Sequence, residues 1–313
     1  MKKRKFSLDL GSRTVFAKSF LYVFGILLLF LSCSSAPKRP ARIVTQRNLA
    51  VQQLDIANTE SERGNYVLAS TLMDEAWKLA VGVDAADLRI KALLSMGNLA
   101  FYKKDAASAE NYWHRALDEA AAENEENLVS AAKIYLCRGL LSYGNGDSSK
   151  DRAKETIDIV SKEMGKLKKS DELYEAYAWR LIGFSYKELS DWNSAEKAFR
   201  NSLEIHEKLI YLEMAAYDWY AIASVRSVAK NYDGALSAAD SAISFDRRAE
   251  NSYGLGMDYM AKGDIYMKTG NIEKALLSYS RAKDIFSSAA LYDEAKVALK
   301  RAEGIQSSDN NMN

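Results

Sequence analysis

Between Ala176 and Glu207 the chain runs AYAWRLIGFSYKELSDWNSAEKAFRNSLEIHE, two amphipathic runs separated by a polar break. In the first, Trp179, Ile182, Gly183 and Tyr186 fall at offsets 0, 3, 4 and 7, one face of a helix. In the second, Ala195, Phe199 and Ser202 fall at offsets 0, 4 and 7. Leu189 to Asn193 supplies the break. The small residues Gly183 and Ala195 stand where two helix backbones would approach closely. The pattern predicts a helical hairpin.

Weaker copies fill the rest of the chain. A small residue recurs on the first helix at Ala57, Gly97, Gly139, Gly183, Ala223 and Gly263, with separations of 40, 42, 44, 40 and 40. An alanine opens each second helix at Ala69, Ala109, Ala153, Ala195, Ala235 and Ala275, with separations of 40, 44, 42, 40 and 40. Two markers thus keep one period near 40. Segments such as 116–132 lack Gly and Pro, so the expected helices are long, about 16–18 residues or roughly 25 Å. A last helix, 292–305, has Ala295, Ala298 and Leu299 to cover the final hairpin, and 307–313 reads as a frayed tail.

The Ala176–Glu207 stretch resembles the tetratricopeptide repeat, whose pattern is W-x-x-L-G-x-x-Y followed by A-x-x-x-F and a further Ala. The period is similar to that of the 40–42-residue variants of the family. The resemblance implies an all-α, right-handed α-solenoid over 48–306, made of about six hairpins plus a C-terminal capping helix. It also implies a protein or peptide partner held on the concave surface that the first helices line.

Composition adds one sharp point. The only prolines in the 313 residues are Pro37 and Pro40, which fits uninterrupted helix from Ala41 onward. The formal charge is +1, but residues 1–32 hold six of the 43 basic residues and one of the 42 acidic ones. Without them the charge is −4, which gives no basic excess for nucleic acid.

The N-terminus carries its own pattern. Residues 1–18 are basic, and Ser19 to Ser32 reads SFLYVFGILLLFLS. That run suits the apolar region of a signal peptide and is short for a membrane span, which needs about 20 residues. It ends at Leu31-Ser32-Cys33-Ser34, which resembles the bacterial lipoprotein box, with Phe30 where the family usually has Leu. The resemblance implies cleavage after Ser32 and acylation of Cys33, so that several acyl chains anchor the protein to a membrane. Residues 33–47 then form the acylated N-terminus and tether, reaching at most about 45 Å. Ser34 is not the Asp that commonly retains lipoproteins in an inner membrane, so the expected location is the periplasmic side of the outer membrane. The remaining cysteine, Cys137, reads as a small core residue.

Catalytic and metal motifs are missing. The two histidines, His114 and His206, lie on different repeats, and no H-x-x-x-H, C-x-x-C, G-x-S-x-G or P-loop pattern occurs. No enzyme and no cofactor is expected. The candidate partner-binding face takes the first-helix positions beside each small residue: Phe101, Tyr143, Tyr177, Arg180, Phe184, Lys187, Tyr217, Tyr220, Met260 and Met267. So many aromatic and Met side chains on a solvated surface would mark a binding groove. A tight superhelix would make the same positions core. A second functional reading is an accessory of solute transport that docks a periplasmic ligand-binding protein or holds a small apolar ligand. An open groove favours the first reading and a closed cavity the second.

Overall fold

The computed structural model describes residues 45–142, 148–169 and 171–310, with side chains through 305. Cys33 and Tyr143 lie outside the described residues. Six antiparallel hairpins follow one another: α1 (Gln46–Glu62) with α2 (Tyr66–Gly82), α3 (Ala86–Tyr102) with α4 (Ala106–Ala122), and α5 (Glu126–Ser142) with α6 (Ser148–Met164). Then come α7 (Glu172–Glu188) with α8 (Trp192–Lys208), α9 (Leu212–Val228) with α10 (Tyr232–Ala249), and α11 (Ser252–Lys268) with α12 (Ile272–Ser288). The last helix, α13 (Tyr292–Asn310), packs on α12. The described residues form an all-α helical repeat solenoid. None of their helices is long and apolar enough to cross a membrane.

The period of 40 is two 17-residue helices and two three-residue turns. Each such turn is built alike. Its middle residue is left-handed, at Gly64, Asp84, Lys104, Asn124, Ser190, Ile210, Lys230, Gly270 and Ala290, and the two-residue turn after the 18-residue α10 holds Glu250 in the same conformation. The backbone N–H after it bonds back five residues, as Asp105 N–H does to the Ala100 carbonyl and Asp191 N–H to that of Tyr186, both at 2.9 Å. The third residue caps the next helix. The Asp105 and Asp191 carboxylates and the Asn231 and Asn271 amides each accept a backbone N–H three residues on. One motif thus satisfies the orphan carbonyls of one helix and an orphan N–H of the next.

The two small-residue markers sit in the core as expected. Ala69, Ala109, Ala153, Ala195, Ala235 and Ala275 have no exposure. On the first helices the small residue makes room for a large one on the second. A Cβ on Gly183 would stand 2.8 Å from the Phe199 ring, and one on Gly97 or Gly263 would overlap Trp113 or Tyr279. Where the slot holds alanine, as at Ala57 and Ala223, the second-helix residue four after the alanine marker is Met73 or Ala239. Alanine in the slot thus goes with a smaller partner, because the added methyl leaves no room for a ring in a close-packed interior.

The third hairpin needs a correction. The first helices start at residues 46, 86, 126, 172, 212 and 252, so the extra six residues all lie after α5, in its two longer connections. Position 12 of α5 is therefore Cys137, buried, with its thiol pushed up to about 12 by burial. Gly139 is two residues out of register with Gly97 and Gly183. The inner-face positions of α5 shift accordingly, and Arg138 takes the place held by Asn98, Phe184, Ser224 and Asp264.

Candidate functional site

The first helices α1, α3, α5, α7, α9 and α11 face inward, and the solenoid curls far enough for its start to meet its end. The turn between α1 and α2 carries Arg63, whose Nη2 donates to Glu213 Oε1 on α9 at 2.9 Å and to the Ala249 carbonyl at 3.2 Å. The same turn presses on the sixth hairpin, since a Cβ on Gly64 would stand 3.1 Å from Tyr253 Cδ2 and 3.7 Å from Leu291 Cδ2. Tyr66 sits against Tyr253. The inner faces therefore surround a lumen instead of an open groove along this part of the molecule.

Aromatic side chains line it in two runs. Tyr135 stacks on Tyr177 with centroids 4.3 Å apart. Phe184 meets Tyr217 edge-on at 6.4 Å, and Tyr217 stacks on Tyr220 at 6.2 Å. Two arginines enter between them. The Arg138 guanidinium lies 3.9 Å over Phe101, 5.0 Å over Tyr102 and 5.8 Å from Tyr177. That of Arg180 lies 4.7 Å over Tyr217. Burial opposes the charge of Arg138, but the Tyr177, Tyr102 and Tyr217 oxygens outweigh it and hold the guanidinium protonated. Across the lumen, burial pushes the Glu62 carboxyl on α1 up to about 8, even though Arg180 and Arg138 draw it down. Glu213 and Asp246 raise it further. Groups on α5, α7, α9 and α10 thus act on one side chain of α1, so opposite walls come close here.

Behind this wall lies a buried hub. Asp218, with no exposure, accepts from Arg180 Nε at 2.6 Å, Ser202 Oγ at 3.0 Å and His206 Nδ1 at 2.6 Å. Arg180 Nη2 also donates to the Met214 carbonyl at 2.6 Å. Burial first, then Arg180, lowers the His206 pKa, so the ring is neutral and Nδ1–H is the donor. Serine, histidine and aspartate meet here, but Ser202 and Asp218 both address the Nδ1 side, and all three are buried. A nucleophile–base–orienter relay needs the two on opposite nitrogens. The hub braces α7, α8 and α9.

A second buried acid pair joins α10 to α11. Asp246 and Asp258 are 3% and 2% exposed, and Asn251 Nδ2 donates to Asp246 at 2.9 Å. Burial pushes Asp246 to about 7 and Asp258 well above its ordinary value, so the two carboxyls share a proton.

The expected face is divided by this geometry. Tyr217 is 41% exposed, and Phe101, Tyr177, Phe184, Lys187, Tyr220 and Met267 are half-buried. Arg180 and Met260 are buried, the first in the hub and the second in the core between α11 and its neighbours. The α5 register puts Leu141 at the place of Phe101 and Lys187. Arg138 and Glu62 were missed by sequence reasoning. The buried Cys137 in the small-residue slot is the signal that would have found Arg138. Outside the lumen, a pocket of about 390 Å³ lies among α10, α11 and α12, with Arg247 and Arg281 beside Tyr259. No group of three or more potential metal ligands occurs among the described residues.

No protein-family model matches the chain, and no curated protein matches it. Solved structures do. A Rap protein complexed with competence and sporulation factor is 14% identical, with a TM-score of 0.53 over 86% of this chain and 78% of its own. BtubC from P. vanneervenii is 18% identical, with a TM-score of 0.49 over 77% of this chain and 92% of its own. The apo form of RapI is 14% identical, with a TM-score of 0.47 over 84% of this chain and 99% of its own. The likeness to the Rap structure bears on the fold alone: an all-α helical-repeat solenoid.

Proposed function

We propose that this protein is a lipid-anchored, extracytoplasmic scaffold that holds a segment of a protein or peptide partner inside its superhelix. The observation that carries the reading is the aromatic run of half-buried Tyr177, Phe184 and Tyr220 with exposed Tyr217, beside the Arg138 guanidinium, on the inner faces of consecutive first helices. Aromatic and arginine side chains are the usual anchors of recognition. The Rap structure with its bound factor shares this fold and supports a ligand-holding role for it. Because the first hairpin returns against the fifth and sixth, the ligand is an extended segment; a helix about 10–12 Å across asks for more room. The anchor is Cys33, and the location is the periplasmic face of the bacterial envelope, with the outer membrane preferred.

The same closure favours a second reading, in which the lumen holds a small ligand and the protein serves a solute-transport system. In-cell crosslinking and affinity purification separate the two. For the scaffold, Phe184→Ala and Tyr220→Ala lose a protein adduct while the circular dichroism spectrum is kept. Retention of every adduct with only lower stability makes these residues core. For the anchor, Cys33→Ala moves the protein out of the membrane fraction, and globomycin accumulates its precursor. An unchanged fractionation removes the anchor.

A further inference from the structure

On the inner face of α7, α9 and α11, two lysines lean on two serines. Lys187 Nζ donates to Ser224 Oγ at 2.9 Å, and Lys268 Nζ donates to Ser227 Oγ at 2.9 Å. Ser224 and Ser227 are three apart on α9, so their Cβ atoms are about 5–6 Å apart. The two ammonium groups therefore straddle one helix turn. Neither has a carboxylate within 4.0 Å among the described residues, although most other lumen charges are matched: Arg180 by Asp218, Arg63 by Glu213, Asp264 by Arg301. Burial holds Lys187 below the ordinary lysine range; Glu188 beside it draws the value back up, and Lys268 lowers it by less than Glu188 raises it. Lys187 is half-buried and Lys268 exposed; two like charges so near each other repel unless an anion joins them. Each serine oxygen accepts from a lysine, which leaves its own O–H free to donate. Two ammonium groups and two hydroxyls thus lie within about one turn of α9.

We propose that Lys187, Ser224, Ser227 and Lys268 form an oxyanion site that takes the dianionic phosphate group of the ligand. The inference rests on the inner face being the ligand face. A carboxylate would use only one of the two charges; a phosphate monoester matches both and can accept from all four donors. The Phe184 ring, one turn before Lys187, and Tyr220, one turn before Ser224, would carry the organic part of the ligand.

The test is calorimetric titration of the full chain in detergent with inorganic phosphate, glycerol 3-phosphate and a phosphoserine peptide, with acetate and added sodium chloride as controls. Phosphate is expected to bind and acetate at equal ionic strength is not. Lys187→Gln and Lys268→Gln should each weaken phosphate by about tenfold, the loss of one charge-assisted hydrogen bond. Lys262→Gln, whose partner is Asp240, should leave it unchanged. Similar affinity for all three phosphates points to a headgroup or free phosphate, and tighter binding of the peptide points to a phosphopeptide. The proposal is overturned if phosphate gives no more heat than acetate, or if folded Lys187→Gln and Lys268→Gln bind phosphate like the unaltered protein. A phosphate that binds while partner adducts in the lumen are absent leaves this site standing and removes the scaffold reading.

Discussion

Arg63 and Glu213 are 150 positions apart in the chain and 2.9 Å apart in space. Their contact turns a curved array of hairpins into one whose first turn rests on its fifth and sixth repeats. The ion pair alone is worth little, about 0–1 kcal/mol, because Arg63 is more than a third exposed. Its effect is on shape. Arg63→Glu should raise hydrogen exchange at 60–66 and 249–253 and increase the radius of gyration in solution scattering, with a stability change of about 1 kcal/mol or less. Unchanged exchange at both segments would show that the first hairpin stays in place without the pair.

The Gly183–Phe199 slot is tight. Gly183→Ala puts a methyl 2.8 Å from the ring and should destabilise by roughly 1–3 kcal/mol in urea unfolding. Combined with Phe199→Leu, the penalty should shrink, because the added methyl then fills the space the ring left. Strict additivity would contradict the slot.

The left-handed turns offer a gain. Ile210 is β-branched, 74% exposed and at φ 60°. A non-glycine residue there costs about 1–2 kcal/mol, and glycine carries an entropy cost of about 0.5–1 kcal/mol. Ile210→Gly should therefore stabilise by roughly 0.5–1 kcal/mol, read as a shift of the urea midpoint.

The helices, their number and their pairing were legible because small residues mark each backbone approach and recur at a fixed step. The turns were less so: eight of the ten left-handed positions are not glycine, and the shared backbone motif imposes the conformation whatever the side chain. Arg138 was hidden because Gly139, the nearest glycine, mimics the marker, while the slot is filled by a cysteine of intermediate size. The closure has no local pattern. It depends on the curvature summed over five hairpins, and Arg63, Gly64 and Tyr253 each look like ordinary turn or helix-start residues.

The hub and the acid pair respond to pH in opposite senses. Asp246, at about 7, and Asp258 fold with raised carboxyl pKa values, so between about 4 and 7 the native state binds more protons than the unfolded chain. Their contribution is full in acid and is lost as pH rises through 7. Glu62 adds the same sense up to about 8. His206, lowered, acts the other way: its contribution is present above the ordinary histidine value near 6.5 and falls away below it. Asp258→Asn, whose amide donates to Asp246 without a titrating proton, should remove on the order of 2 kcal/mol of the stability lost between about pH 5 and 8. An unaltered pH slope would show that the two carboxyls do not share a proton.

The lumen is tested most directly by site-specific photocrosslinking in the producing cells, with a benzophenone amino acid placed at Tyr217 or at Leu277. Tyr217 is 41% exposed on the inner face, and Leu277 is 68% exposed on a second helix. A partner held inside the superhelix gives a discrete adduct at Tyr217 that Leu277 does not give. Adducts at Leu277 alone, or the same set at both positions, would contradict it.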